Sequence, residues 1–175
     1  MDIFDRNFFP CHYENICVFT LTATSSSVYG SNEDHGPHLA IDGRISDTNK
    51  DFFHSDSERF PWLQVKLGKE KTISGVTIVN RKDSNGWRFA DIEVRAGMTE
   101  VKQLFSGSRI EINPVCGTFE GPGKDGETYT ITCKTPIKTK YVTVQIVPNV
   151  EFPKTVPESI LQINELTFNE LNTQV

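Results

Sequence analysis

The sequence predicts an all-β domain, a sandwich or barrel of short antiparallel strands, from three observations. Several segments alternate apolar and polar residues with period two, the pattern of a strand with one buried and one wet face. Clusters of Gly, Pro, Asn and Asp separate these segments, as in sandwiches built from many short strands. No apolar i, i+3, i+4, i+7 stripe runs long enough for a major helix.

The elements follow in chain order. Residues 1–19 read as an N-terminal extension and 20–175 as one domain. Tyr29 to Asp51 is polar and carries Gly30, Gly36, Pro37 and Gly43, so it reads as a long structured loop, a feature compact domains usually keep for function. Leu63–Leu67 places Leu63, Val65 and Leu67 on one face. Ile73–Asn80 is rich in β-branched residues, and Asp91–Arg95 turns Ile92 and Val94 inward. Tyr129–Cys133 and Val142–Ile146 repeat the alternation. Pro148 to Pro157 reads as a connection before a last strand near Ile163–Phe168, and no internal repeat or low-complexity tract interrupts the chain.

Composition narrows the functional classes. The chain has 175 residues, 18 Lys and Arg against 23 Asp and Glu, and a net charge of −5. That length suits one domain and supports a core without help from disulfides. With 37% hydrophobic and 23% charged residues the chain reads as globular rather than disordered. Its mild acidity argues against nucleic acid as a partner, and no apolar run approaches the roughly 20 residues of a membrane span. There is no G-x-S-x-G, H-E-x-x-H, phosphate-binding loop or G-x-G-x-x-G. Asp51 and Asp56 do not stand out from ordinary loop carboxylates, so no catalysis is expected. The cysteines are Cys11, Cys17, Cys116 and Cys133, with no C-x-x-C among them. Four cysteines allow three pairings, or four free thiols in a cytosolic protein. Cys116 and Cys133 flank a turn-rich stretch, Gly117 to Gly123, that a bridge could pin. The first residues are acidic and no long apolar core follows them, so no secretory signal is visible.

Chemistry concentrates where strands meet loops. Arg81 follows the strand Ile73–Asn80 and Arg88 precedes the strand ending at Gly97, with a polar Lys82–Trp87 connection containing Asn85-Gly86 between them. Asp83 is spaced to hold a guanidinium by a charge-assisted bond. A fixed pair of always-charged, planar donors suits vicinal hydroxyls or an anion. Taken alone, the two arginines read as surface charges beside a turn.

The wider pattern changes that weighting. His54, 26 residues, Arg81-Lys82-Asp83, four residues and Arg88 follow one another. This order resembles the fucose-binding motif of the F-type lectins. Around it, Ala23–Gly30 resembles that family's opening strand and Ala40-Ile41-Asp42-Gly43 its loop, while Pro61–Gly68 resembles its PWW-V-LG strand. Val79-Asn80-Arg81, Val94–Gly97 and Lys140–Val144 also fit, so the resemblance spans roughly Thr20 to Phe168.

The resemblance implies a discoidin-like (F5/8 type C) jelly-roll β-sandwich, with a shallow sugar site among loops at one end. His54, Arg81 and Arg88 would donate hydrogen bonds to the axial 4-hydroxyl and neighbouring oxygens of α-L-fucose, each worth about 1–3 kcal/mol. Phe52 and Phe53, beside His54, would offer an apolar wall for the C6 methyl. The implied partners are fucosylated glycans, bound weakly as monosaccharides, so avidity would come from several sites in a homo-oligomer. The resemblance also implies a secreted protein. Many family members carry two adjacent cysteines directly after the R-x-D; here Ser84 and Asn85 stand there, and Asn85 or Trp87 becomes the candidate contact instead. A second family bridge is missing, its positions being held by Phe52 and Asn164, whereas Cys116 and Cys133 fit the remaining family disulfide. Cys11 and Cys17 have no counterpart and are expected to bridge each other.

The family's structural calcium ion is the implied cofactor. Asp42 and Glu165 match its carboxylates, with Leu39, Arg44 and Asn164 offering carbonyl oxygens and Asp47 or Asp51 completing a hard-oxygen shell. His35 and His38 flank Gly36-Pro37 and read as exposed loop histidines, without the third ligand a transition metal would need. Trp62 reads as core and Trp87 as a sugar contact. The leading expectation is a fucose-binding lectin. The alternatives are a discoidin-like adhesion module for another glycan, a protein or a lipid head group, and an accessory carbohydrate-binding domain of a larger enzyme.

Overall fold

A computed structural model describes residues 20–102, 107–149 and 158–171. The N-terminal extension with Cys11 and Cys17, and most of the Pro148–Pro157 connection, lie outside the described residues. Within them, eight strands and four short 3-10 turns form an all-β architecture. The strands are β1 (Thr22–Ser25), β2 (Phe53–His54), β3 (Trp62–Val79), β4 (Ile92–Gly97), β5 (Val115–Phe119), β6 (Thr128–Ile146), β7 (Gln162–Ile163) and β8 (Glu165–Glu170). Every pairing among them is antiparallel.

Two long strands organise the fold. The segments Leu63–Leu67 and Ile73–Asn80 belong to one strand, β3, and Tyr129–Cys133 and Val142–Ile146 to another, β6. Polar residues and Gly68 break the alternation between the halves, but the backbone continues through register shifts at Lys66/Lys71 and Ile73/Gly75. Such irregularities bend a strand and reset which face is buried. The first half of β3 pairs with β1 and with the end of β6; its second half pairs with β8 and the start of β6. β4 lies on the far side of β6 and carries β5. Pro136, which cannot donate to a ladder, falls in the stretch of β6 between Thr132 and Ile137 that has no partner in register with β3.

The main core lies between these halves. Val65, Leu67, Ile73, Val76 and Ile78 of β3 meet Val142 and Val144 of β6, Ile92 and Val94 of β4, and Leu166 of β8. Trp62 points to the opposite face, where it is fully buried with Val101 and Ile110. On that face Gln64 accepts from the Val101 amide (3.0 Å) and Gln145 from the Ile110 amide (2.8 Å). A disulfide joins Cys116 of β5 to Cys133 of β6 across a Cα separation of 4.0 Å. The long loop after β1 is three successive 3-10 turns, Tyr29–Ser31, Glu33–His35 and Pro37–Ile41.

Candidate functional site

The site forms where β3 leaves the sheet. Asn80, fully buried, turns the chain into the loop leading to β4. Its Nδ2 donates to the carbonyls of Gly86 and Lys124, both at 2.8 Å, and its Oδ1 accepts from the Arg81 amide at 2.8 Å. One side chain therefore ties both ends of the arginine loop to the 121–127 connection. Asn85 takes the left-handed conformation (φ 60°) and Gly86–Arg88 completes one 3-10 turn. Gly86 is packed so tightly that a Cβ there would lie 2.4 Å from the Asp125 nitrogen, while its amide donates to the Asp125 carboxylate. The loop is a crossover rather than a hairpin, because β4 pairs with β6 and β5 and not with β3.

Arg81 is 8% exposed. Its Nε and Nη2 donate to the two Asp83 oxygens at 2.6 and 2.7 Å, and its guanidinium carbon stands 4.9 Å from the centre of the Phe52 ring. A carboxylate along one edge and an aromatic face beneath fix both position and plane. The Arg81 hydrogen bonds hold the Asp83 carboxyl below the usual carboxylate range. Two of the five guanidinium N–H groups are spent on Asp83, leaving three for other partners. A further relay leads on from Asp83: Asn85 Nδ2 donates to Ser84 Oγ (3.1 Å), which donates to Asp83 Oδ2 (3.2 Å).

His54 lies on the short β2–β7 ribbon, opposite Gln162, and is 7% exposed. Its ring packs against Tyr29 (4.6 Å between centroids), His35 (5.3 Å) and Phe52 (6.0 Å). Nδ1 lies 2.7 Å from the Ser55 carbonyl oxygen. Burial pushes the His54 pKa down to about 4, and the charges of His35, Arg81 and Arg88 push the same way, against the Ser55 hydrogen bond. The ring is therefore neutral at neutral pH. A carbonyl can only accept, so Nδ1 carries the proton and Nε2 presents a lone pair. With Nδ1 turned to that carbonyl, the group His54 has left to offer is an acceptor.

The remaining predicted residues divide. Arg88 is half-buried, with its guanidinium carbon 5.6 Å from the centre of the Trp87 ring. Trp87 itself is 62% exposed. Phe53 is completely buried in the main core, so the expected apolar wall is not there; alternation along β2 turns its side chain inward, away from His54. Phe52 is likewise buried and serves Arg81 from below. His35, expected to be exposed, is buried among Tyr29, Phe52 and His54. Sequence reasoning missed Tyr29, His35, Asn80 and Gln162 as members of this neighbourhood. Tyr29 and Asn80 stood inside motif-bearing stretches, which was the available signal. Nothing marked Gln162, whose buried carboxamide has no hydrogen-bond partner among the described residues.

A second polar cluster joins the loop after Ile41 to the start of β8. Glu165 Oε2 accepts from the Gly43 amide (3.1 Å), and Asp42 Oδ1 from the Arg44 amide (2.9 Å). Burial, with the Asp42 charge adding to it, pushes the Glu165 pKa up to about 7. Asn164 is pinned to Ser46 by both ends of its carboxamide, at 2.8 Å each. Leu39 lies in the 3-10 turn Pro37–Ile41. Asp47 pairs with Lys82, and the Asp51 amide donates to the Asp34 carbonyl (3.0 Å). Among the described residues no three His, Cys, Asp or Glu side chains gather as a metal cluster. A hard cation here would be held by the Asp42 and Glu165 carboxylates with carbonyl oxygens completing its shell, and their mutual repulsion fits that donor set.

Fold and loops together define a discoidin-like module with a polar, loop-borne candidate site. The F5/8 type C domain family matches residues 21–157, and the chain belongs to that family, within its F-type lectin (fucolectin) branch. Fucolectin-1 of Anguilla japonica is 34% identical over 137 residues, covering 77% of this chain and 68% of that protein. Fucolectin of Anguilla anguilla is 32% identical over 135 residues, covering 74% and 79%. The crystal structure of an F-lectin from striped bass (Morone saxatilis) serum superposes with a TM-score of 0.70 at 23% identity, over 87% of this chain. This chain spans about half of that one, 47% of its length. Among the described residues no helix is long and apolar enough to cross a membrane.

Proposed function

We propose that this protein is a secreted, non-catalytic lectin that binds α-L-fucose on glycans through His54, Arg81 and Arg88. The observation that carries the reading is the fixed polarity of the site: one neutral imidazole acceptor beside guanidinium donors, one of them immobilised by Asp83 and Phe52. An axial hydroxyl can accept from both arginines and give its own proton to His54 Nε2, using all its hydrogen-bonding capacity at once. An equatorial hydroxyl misses that convergence and leaves buried donors unpaired, which is how such sites discriminate. Asn85 and Trp87 line the same loop and complete the contact surface, with Asn85 also holding Asp83 through Ser84.

Calcium at Asp42 and Glu165, with carbonyl oxygens from Leu39, Arg44 and Asn164, would order the long loop that carries Tyr29 and His35. A few hydrogen bonds on an open surface give weak monosaccharide binding, so cell-surface glycans would be held by several copies in a homo-oligomer. A glycan array with and without calcium, repeated with Arg88→Ala, tests the reading. Fucosylated glycans are expected to dominate and to be lost in the variant. Binding confined to non-fucosylated ligands, or unchanged in Arg88→Ala, would overturn it.

A further inference from the structure

We propose that the end of the sandwich opposite the arginine loop is a second binding surface, one that takes a linear sulfated polysaccharide. The proposal goes beyond the fucose reading and does not depend on it. Residues 66–71 of β3 and 134–140 of β6 hold six of the chain's eleven lysines. Both stretches lie midway along strands whose two ends return to the arginine loop: Val79 pairs with Thr128 beside Arg81, and Ile146 pairs with Ile92 just past Arg88. Arg81 stands ten residues beyond Lys71, and extended backbone rises about 3.3 Å per residue, so the two are roughly 30 Å apart along the strand. At that separation both surfaces can be occupied at once.

Charge at this end runs against the rest of the chain. Lys66, Lys69, Lys134 and Lys138 are exposed, and Lys71 and Lys140 are half-buried. Lys71 pairs with Glu170, and Lys138 with Glu70 at 2.7 Å. Among the described residues Lys66, Lys134 and Lys140 make no salt bridge. The Lys138 hydrogen bond, with the Lys140 charge adding to it, holds the Glu70 carboxyl below the usual range. Even with Glu70, Glu100 and Glu170 counted, this end is positive on a chain whose net charge is −5, and such segregation turns it towards a polyanion. The arrangement selects the kind of polyanion. Lys66 and Lys71 pair with Tyr141 and Thr139 and share their face, whereas Lys138 and Lys140 alternate with those residues and point the other way. A bilayer is a plane and meets one of these faces at a time, while a flexible chain of sulfate esters passes over the end and meets both. Ammonium groups on long stems act as movable point charges, which suits sulfates repeated along a chain better than one anion held in a fixed fork.

Heparin is the probe. Surface plasmon resonance on the full chain at low salt should show binding to heparin and to dextran sulfate and none to unsulfated dextran. Raising the salt to about 0.3 M should weaken that binding about tenfold or more, because exposed charges are screened. Lys66→Glu, Lys134→Glu and Lys140→Glu combined should cut heparin affinity about tenfold or more, and the matching triple Gln variant, which removes charge without reversing it, should lose less. Both variants should keep the unfolding temperature, and methyl α-L-fucoside should leave heparin binding unchanged. Vesicles of phosphatidylcholine with phosphatidylserine, and duplex DNA, should bind more weakly than heparin. No heparin binding at low salt overturns the proposal, as does heparin binding that the folded Glu variant retains in full. Displacement of heparin by methyl α-L-fucoside overturns it too, since the polyanion would then lie in the loop-end site. Binding to vesicles or DNA as tight as to heparin or tighter overturns the choice of a sulfated polysaccharide.

Discussion

Lowering the pH separates this site from one built on an ordinary histidine. The His54 pKa stands at about 4, against 6.5 for an unburied imidazole. At pH 5 about a tenth of His54 is protonated, whereas an unshifted histidine would be about 97% protonated. If the neutral ring with its free Nε2 is the binding form, fucose affinity at pH 5 should stay within about 10–20% of its value at pH 7.5. It should halve only near pH 4. An unshifted histidine in the same role would cost about thirtyfold at pH 5. The assay is calorimetric titration with methyl α-L-fucoside between pH 7.5 and 4.5 in saturating calcium, beside an NMR titration of the His54 ring. A tenfold or greater loss by pH 5 that follows a His54 midpoint near 6.5 would refute the reasoning. Stability carries the same signature. The folded pKa lies below the unfolded one, so the contribution is fully present above pH 6.5 and is lost as pH falls towards 4.

Three further outcomes follow from the geometry. Asp83→Ala removes both anchors of the Arg81 edge and should weaken fucose binding about five- to tenfold, roughly 1–1.4 kcal/mol, by calorimetry. Unchanged affinity would show that Phe52 alone orients the guanidinium. Gly86→Val places a side chain against the Asp125 backbone; thermal unfolding should show a loss of about 1–3 kcal/mol together with loss of fucose binding. Calcium should raise the melting temperature, by about 2.7 kcal/mol of stability at a hundredfold excess over its dissociation constant. Its effect should grow from pH 6 to pH 8. The raised Glu165 pKa means the metal-free fold loses stability as pH rises through about 7, where the carboxyl must ionise beside Asp42. Glu165→Gln should abolish the calcium response, and an undiminished response would remove Glu165 from the ligand set.

Strand content was legible in the sequence because alternation reports one buried face locally, as at Leu63-Gln64-Val65 and Ile92-Glu93-Val94. Continuity was not. Lys69-Glu70 and Pro136 look like turn residues, and only cross-strand pairing shows that β3 and β6 run through them. The arginine pair and its aspartate could be read from spacing, since the Asp83 contact spans two residues. The histidine's role could not, because its proton position depends on the Ser55 carbonyl and its pKa on burial among Tyr29, His35 and Phe52. Phe53 was misplaced for the same kind of reason: adjacency to His54 in sequence puts it on the opposite face of a strand. Asn80 holds partners up to 44 positions away, beyond the reach of any local pattern.

The arginine loop holds itself together with oxygen and nitrogen alone. Asn85, Ser84, Asp83 and Arg81 form one relay, closed from below by Asn80 and Asp125. Among the described residues the bonded cysteines lie elsewhere, between β5 and β6. Thiols and reductants that would open a sulfur-built recognition loop have nothing to attack here. Loss of the Cys116–Cys133 bridge would be felt as a change in how hard the sandwich is to unfold, before it was felt as a change in what the loop recognises. Loop and scaffold therefore answer to different chemical environments: a reductant reaches the bridge of the sandwich and leaves the bonds of the loop untouched.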